Sequence, residues 1–170
     1  MRSAPLALAV LLVPVLAVAP GCKPREPELP PPPPPAKPVS IWTARESQDI
    51  AAKLVEAAQR ESWSSQFRDR NSRAARLAVG AIADRSGKEV AVEEFASAIT
   101  AALSASGGDK LAAGTAAEAD FTITGVITSS AGTMPEGGAA VYFAVDLSVA
   151  PAAGGDVVWH FAIEQPVAAP

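Results

Sequence analysis

Ile50, Leu54, Val55 and Ala58 recur at helical intervals, and Thr43-Ala44-Arg45-Glu46 has the spacing of a capping box. Together they predict an amphipathic helix over residues 44 to about 62. The following stretch, SWSSQFRDRNSRAA, breaks that period and reads as a loop. RLAVGAIAD is a short apolar run with Gly80 inside it and Asp84-Arg85-Ser86-Gly87 after it, the pattern of a buried strand ending in a turn. Val92, Phe95, Ala96, Ile99, Ala102 and Leu103 then fall on one face of a second helix, about 90 to 105, which Gly107-Gly108 terminates.

The period changes after that helix. DKLAAG carries a weak strand signal. DFTITGVITS sets Phe121, Ile123, Gly125 and Ile127 against Thr122, Thr124, Val126 and Thr128, and Val141, Phe143, Val145 and Leu147 continue the alternation. Val157, Trp159, Phe161 and Ile163 repeat it once more, and their shared parity assigns Trp159 to the core. The predicted order is helix, strand, helix, weak strand and three strands in an antiparallel meander. This is an α+β domain, with a mixed, mainly antiparallel sheet flanked by helices, over residues 41–170.

What precedes the domain has a different character. Arg2, an apolar stretch from about Leu6 to Ala19 and then small residues follow the order of a secretory signal. The stretch is too short and too proline-broken for a membrane span. Ala19-Pro20-Gly21-Cys22 resembles a bacterial lipobox, which implies cleavage after residue 21 and lipidation of Cys22. A free thiol is the plainer reading of the same residue. Because Cys22 is the only cysteine, no intramolecular disulfide can form. Two or more acyl chains, each buried CH₂ contributing roughly 0.8 kcal/mol, would make the anchor effectively permanent. Lys23 stands where inner-membrane lipoproteins usually carry Asp, so the expected location is the periplasmic face of the outer membrane. Residues 23–40 hold nine of the sixteen prolines, six of them consecutive. Such a run favours polyproline II, so residues 22–40 read as a disordered, extended tether with a reach of about 55 Å. A ligand for aromatic-lined grooves is the other use of such a run.

Charge and chemistry narrow the function. Residues 41 to 90 carry nine Lys/Arg against seven Asp/Glu, whereas residues 91 to 170 carry only Lys110 against nine acids, a dipolar distribution that can orient partners. The domain is net acidic and exported, so nucleic acid is not an expected partner. His160 sits in a strand and reads as a sheet-face residue. No carboxylate pair has a nucleophile or histidine at recognisable spacing, and no cluster has metal-ligand spacing. AVGAIADRSGK lacks the spacing of a phosphate loop. Neither catalysis nor a cofactor is therefore expected. Arg68, Arg70, Arg73 and Arg76 fall in the predicted loop and strand start, with Asp69 as their one local counter-charge. They form the candidate docking patch, and the sheet face around Tyr142 is the second candidate.

The long stretch from Asp49 to Gly107 resembles the opening of the LpoB family, outer-membrane lipoproteins that activate class A penicillin-binding proteins. The resembling features are Ser62-Trp63 and Phe67 after the first helix, the strand RLAVGAIAD, the turn Asp84-Arg85-Ser86-Gly87 and a helix ending in Ser106-Gly107. ADFTITGVI and VYFAVDLSVAPAAGGDVVWHF resemble later strands of that family, and the likeness spans roughly residues 47 to 164. It implies a monomer that docks on a periplasmic region of a class A penicillin-binding protein while the N-terminal lipid holds the outer membrane. Related envelope lipoproteins, including the curli-secretion type, share such patterns, and a structural or assembly role is the alternative they imply. An enzyme acting on peptidoglycan is the third class, for which no acid-base or nucleophile set is visible.

The anchor is directly testable. Cys22→Ser should move the protein from the outer-membrane fraction to the soluble periplasmic fraction. Unchanged sedimentation with membranes would remove the lipid from the account.

Overall fold

The computed structural model describes residues 41–169. The expected signal peptide (1–21), the expected lipid on Cys22 and the expected proline-rich linker (22–40) lie outside the described residues. Within them the order is α1 (Ala44–Arg60), α2 (Ser62–Asn71), β1 (Ala75–Asp84), α3 (Val92–Ala105), β2 (Leu111–Ala113), β3 (Phe121–Thr133), β4 (Ala139–Pro151) and β5 (Trp159–Ala168).

The first helix begins where the capping box places it. Thr43 Oγ1 accepts the Arg45 N–H at 3.2 Å, and the Glu46 carboxylate accepts the Thr43 N–H at 2.9 Å. Ile50, Ala51, Leu54, Val55 and Ala58 form its buried face. Just before it, Trp42 inserts into the core and donates from Nε1 to Ser47 Oγ at 2.7 Å. Its ring meets Phe95 and Phe143 edge-on at 5.8 and 4.9 Å, which ties the chain ahead of α1 to both α3 and the sheet.

The segment read as a loop is helical. In α2 only Trp63 and Phe67, one turn apart, supply an apolar face, and they pack against Phe121 of β3 at 5.1 and 5.5 Å. Two residues are too few to produce a visible period, and tertiary contact stabilises what local propensity does not. The helix ends at Ser72 in the left-handed region (φ 54°), whose N–H returns to Arg68 O at 2.7 Å.

One five-stranded sheet has the order β2-β1-β3-β4-β5. β1 runs parallel to β2 and β3, with α3 as the crossover between β1 and β2, while β3, β4 and β5 form the expected antiparallel meander. The architecture is thus α+β with a mixed sheet. β1 is buried only in its first half. Its pairing shifts between Val79 and Ile82, and Gly80, Ala81 and Ala83 are exposed. The turn after it is held by Asp84, whose carboxylate accepts from Ser86 N, Ser86 Oγ and Val90 N at 2.8, 2.6 and 3.0 Å. Burial alone would push that carboxyl up, but the Ser86 hydroxyl and the two N–H groups outweigh it and hold it below its ordinary value.

The core lies between the sheet and the α1–α3 layer. Phe95, Ile99 and Leu103 of α3 and Ile50 and Leu54 of α1 meet Ile123, Ile127, Phe143, Val145, Leu147 and Val149. Gly125 is required in β3, since a Cβ there would stand 2.1 Å from Asp146 O. On β5 the expected burial is incomplete. Val157 precedes the strand and is 44 % exposed, and Trp159, Phe161 and Ile163 are half-buried, because among the described residues β5 is the sheet's edge, with a neighbouring strand on one side only.

Edge and centre should therefore differ in a mutational test. Phe143→Ala, in fully buried surroundings, should cost about 3–5 kcal/mol, and Trp159→Ala clearly less. Urea unfolding of the two variants, followed by far-UV circular dichroism, measures the ordering.

Candidate partner-binding surface

The four candidate arginines come together at one corner, although not on a loop. Arg68 and Arg70 belong to α2, Arg73 to the turn that follows it, and Arg76 to β1. Their environment also differs from the sequence expectation, in which Asp69 was the one counter-charge. Arg68 Nη1 lies 3.2 Å from both carboxylate oxygens of Asp109, and its Nη2 3.5 Å from Asp69. Arg73 makes a two-pronged bond to Asp120, 2.7 Å on each prong, and Arg76 reaches Glu118 at 3.8 Å. These carboxylates arrive from the β2–β3 side of the sheet, more than forty residues away in the chain for Arg68, Arg73 and Arg76. Only the fold brings them in. Arg70 alone of the four faces no carboxylate among the described residues; its Nε donates to Gln66 O at 3.1 Å.

Asp120 is the hinge of the corner. Besides the Arg73 fork, its Oδ2 accepts the Arg76 backbone N–H at 2.8 Å, so one carboxylate joins the turn after α2, β1 and the start of β3. The Arg73 guanidinium holds the Asp120 carboxyl below the usual aspartate value. Burial opposes the shift, and the Arg76 N–H adds to it. Arg73 also lies 5.2 Å from the centre of the Phe67 ring, so the fork is braced from below by an aromatic face.

Beside the ion pairs lies a continuous aromatic cluster. Trp63 meets Phe121 at 5.1 Å and Trp159 at 6.5 Å, and Trp159 meets Phe161 at 5.8 Å. Trp63 Nε1 is buried without an acceptor, and the neighbouring Val157 and Val158 are the exposed large hydrophobics of the domain, at 44 and 40 %. In the sequence these aromatics stand in separate segments. Their convergence has no local signal, because they come from α2, β3 and β5.

Tyr142 stands elsewhere. It pairs with Ser130, nine residues along β3 from Phe121, or roughly 30 Å at strand rise. Its ring covers Gly132, and its hydroxyl donates to Thr133 O at 2.7 Å, so it braces the β3–β4 hairpin. His160 is exposed on the open sheet face, with Nδ1 3.1 Å from Ser148 Oγ. Among the described residues no group of three or more His, Cys, Asp or Glu is arranged to hold a metal ion, and no helix is long and apolar enough to cross a membrane. A groove of about 940 Å³ between α1 and α3, floored by Ala98, Ala101 and Ala102, lies apart from the arginines.

No family model matches the chain, and no curated protein matches it. Among solved structures it is similar to the LpoB C-terminal domain from Escherichia coli, at 9 % identity over 70 % of this chain and 94 % of that one, with a TM-score of 0.42. Two PelC dodecamer structures from Paraburkholderia phytofirmans give 18 and 19 % identity over 56 % of this chain and 73 % of theirs, with TM-scores of 0.42 and 0.41. Likenesses at this level leave function to be argued from the chain's own residues.

The Asp120 clamp predicts an acid limb in the stability profile. A carboxyl depressed in the folded state stabilises in full above the pKa of a free aspartate, about 3.9, and that contribution is lost as the pH falls through the lower folded value. Asp120→Asn should therefore melt lower than the parent at pH 7, and the gap should shrink below pH about 4. Thermal melts of both proteins across that range give the comparison. A constant gap would show that the carboxylate's charge is not what holds the corner.

Proposed function

We propose that the chain is a lipid-anchored envelope protein whose folded domain docks on the periplasmic region of a class A penicillin-binding protein and shifts that enzyme toward its active conformation. The observation that carries this reading is the corner built by α2, β1, β3 and β5. Ion pairs there hold side chains in place around a half-buried aromatic centre, the polar-rim and aromatic-core composition of a protein interface. The lipobox-like Cys22 and the LpoB-like order of motifs between residues 47 and 164 support the location and the partner class. Activation then follows from differential affinity. A ligand that binds the active state of a two-state enzyme better than the inactive one shifts the population, and a swing from 1:99 to 99:1 needs about 5.5 kcal/mol of that difference.

Within the corner the arginines divide the work. Arg73 is committed to Asp120 and serves the architecture, whereas Arg70, with no carboxylate of its own, is available to an acidic surface. The structural or assembly reading stays as the second one, favoured by the outer edge of β5, unpaired among the described residues, which a neighbouring protein could cover without any enzyme being activated.

Glycan polymerisation by a class A synthase, with and without the full chain carrying Cys22→Ser, separates the two. A rise in polymerisation rate is expected. Binding without any change in rate would favour assembly, and absence of binding would overturn the docking proposal. Arg70→Gln should slow association about two- to fivefold and lower its salt dependence while leaving the melting temperature unchanged. Arg73→Gln should lower the melting temperature as well.

A further inference from the structure

The outer edge of β5 adjoins the corner through Phe161 and offers a second interaction surface, made by its backbone groups and independent of the partner assigned to the corner. From Ala140↔Ala168 to Val149↔Trp159 its pairing with β4 runs without a register shift, and among the described residues no strand lies on its other side. Ala169 N–H bonds to Ala139 O at 3.0 Å, so along this ladder odd-numbered residues of β5 turn their peptide groups to β4 and even-numbered ones turn them outward. The groups left without a strand partner belong to His160, Ala162 and Glu164. The next even position is Pro166, which has no N–H to offer and ends the run. The opposite edge of the sheet is treated differently, since β1 is partly covered by β2 and then bulged between Val79 and Ile82. A regular, unbulged edge is a template for another strand.

We propose that two copies of this chain pair through β5, antiparallel about a two-fold axis at Ala162, so that their sheets join into one. In this register outward-facing residues meet outward-facing residues, as an antiparallel ladder requires. Ala162 faces Ala162 of the second copy, and His160 faces Glu164 of the second copy, twice by symmetry. Both side chains are exposed on the same sheet face, and Glu164 makes no ion pair among the described residues. The contact of Ser148 Oγ with Nδ1 leaves the other ring nitrogen of His160 for that carboxylate. On the inner face Phe161 lies opposite Ile163 of the second copy. Both are half-buried, while their counterparts on β4, Val145 and Leu147, are at most 1 % exposed, so the pairing supplies the cover that an edge strand lacks.

Three other two-fold registers are poorer. A centre at Glu164 sets Glu164 against its own copy. A centre at His160 sets His160 against its own copy and Glu164 against Asp156, and a centre at Ile163 sets Pro166 against His160 twice by symmetry, with two ladder bonds lost. The isologous contact closes after two copies, so it leads to a dimer and not to a fibre.

Sedimentation velocity of the full chain carrying Cys22→Ser, over a wide micromolar range, should show a monomer–dimer equilibrium. Glu164→Lys should weaken it about tenfold, because an ammonium cannot accept the His160 ring N–H at either of the two symmetric places, and His160→Glu added to Glu164→Lys should restore it by setting opposite charges across the seam. Because Cys22 is the only cysteine, Ala162→Cys in the Cys22→Ser background reports the register. Paired Cα atoms there would lie about 5.5 Å apart, within disulfide reach. The control Ala144→Cys, on β4, would lie about 20 Å from its copy, three strand spacings across and four residues along. A mild oxidant should give a covalent dimer at residue 162 and not at 144. A monomer at every concentration overturns the proposal, and so does a dimer that is indifferent to Glu164→Lys and does not cross-link at residue 162. If Ala162→Cys fails to fold, the charge reversal and its rescue, both on exposed side chains, still decide.

Discussion

The domain depends on the burial of one strand. Val141, Phe143, Val145, Leu147 and Val149 of β4 all turn toward the α1–α3 layer, and none is more than 8 % exposed. That row is flanked on one side by Ile123 and Ile127 of β3 and on the other by Phe161 and Ile163 of β5. It is roofed by Phe95, Ile99, Leu103, Ile50 and Leu54, with Trp42 wedged against Phe143. Because every second residue must face this roof, β4 cannot slip by one position without turning its apolar set to water.

A sheet with a single helical layer leaves its far face and its edges to be managed. The far face is mostly threonine, serine, alanine and charged side chains, with Val126 and His160 among them, and Tyr142 closes over Gly132 where the hairpin would otherwise be bare. Asp120 handles the junction of parallel and antiparallel pairing, binding Arg73 and the Arg76 N–H where β3 starts beside β1. The same clamp sets arginines around the aromatic cluster, so a structural necessity of the fold also prepares the surface assigned to a partner. At β5 the management is lightest. Pro166 interrupts the edge at one end only, and the aromatic row beneath it keeps part of its area in water.

Much of this was legible in the chain. The capping box, the periods of α1 and α3 and the alternation of β3, β4 and β5 are local consequences of 3.6- and 2-residue repeats, and each element formed where its period placed it. α2 escaped because Trp63 and Phe67 are one contact, not a period, and its remaining positions are serine, glutamine, arginine and other polar residues. The arginine corner was half legible. Clustering of four arginines within nine residues is visible in the sequence, whereas their neutralisation by Asp109, Glu118 and Asp120 is not. Carboxylates that far along the chain carry no mark of where they will be folded.

The sequence by itself determined which residues of each segment face inward, because side-chain direction follows from backbone geometry and the choice of face from the affinity of water for polar groups. Only the tertiary structure decided how completely each inward face is covered. The alternation in Val157, Trp159, Phe161 and Ile163 is the same in kind as that in β4, yet one strand is central and the other is an edge. Order within a sheet is set by pairing between segments distant in sequence, through peptide groups that every residue carries alike, and so no local pattern records it.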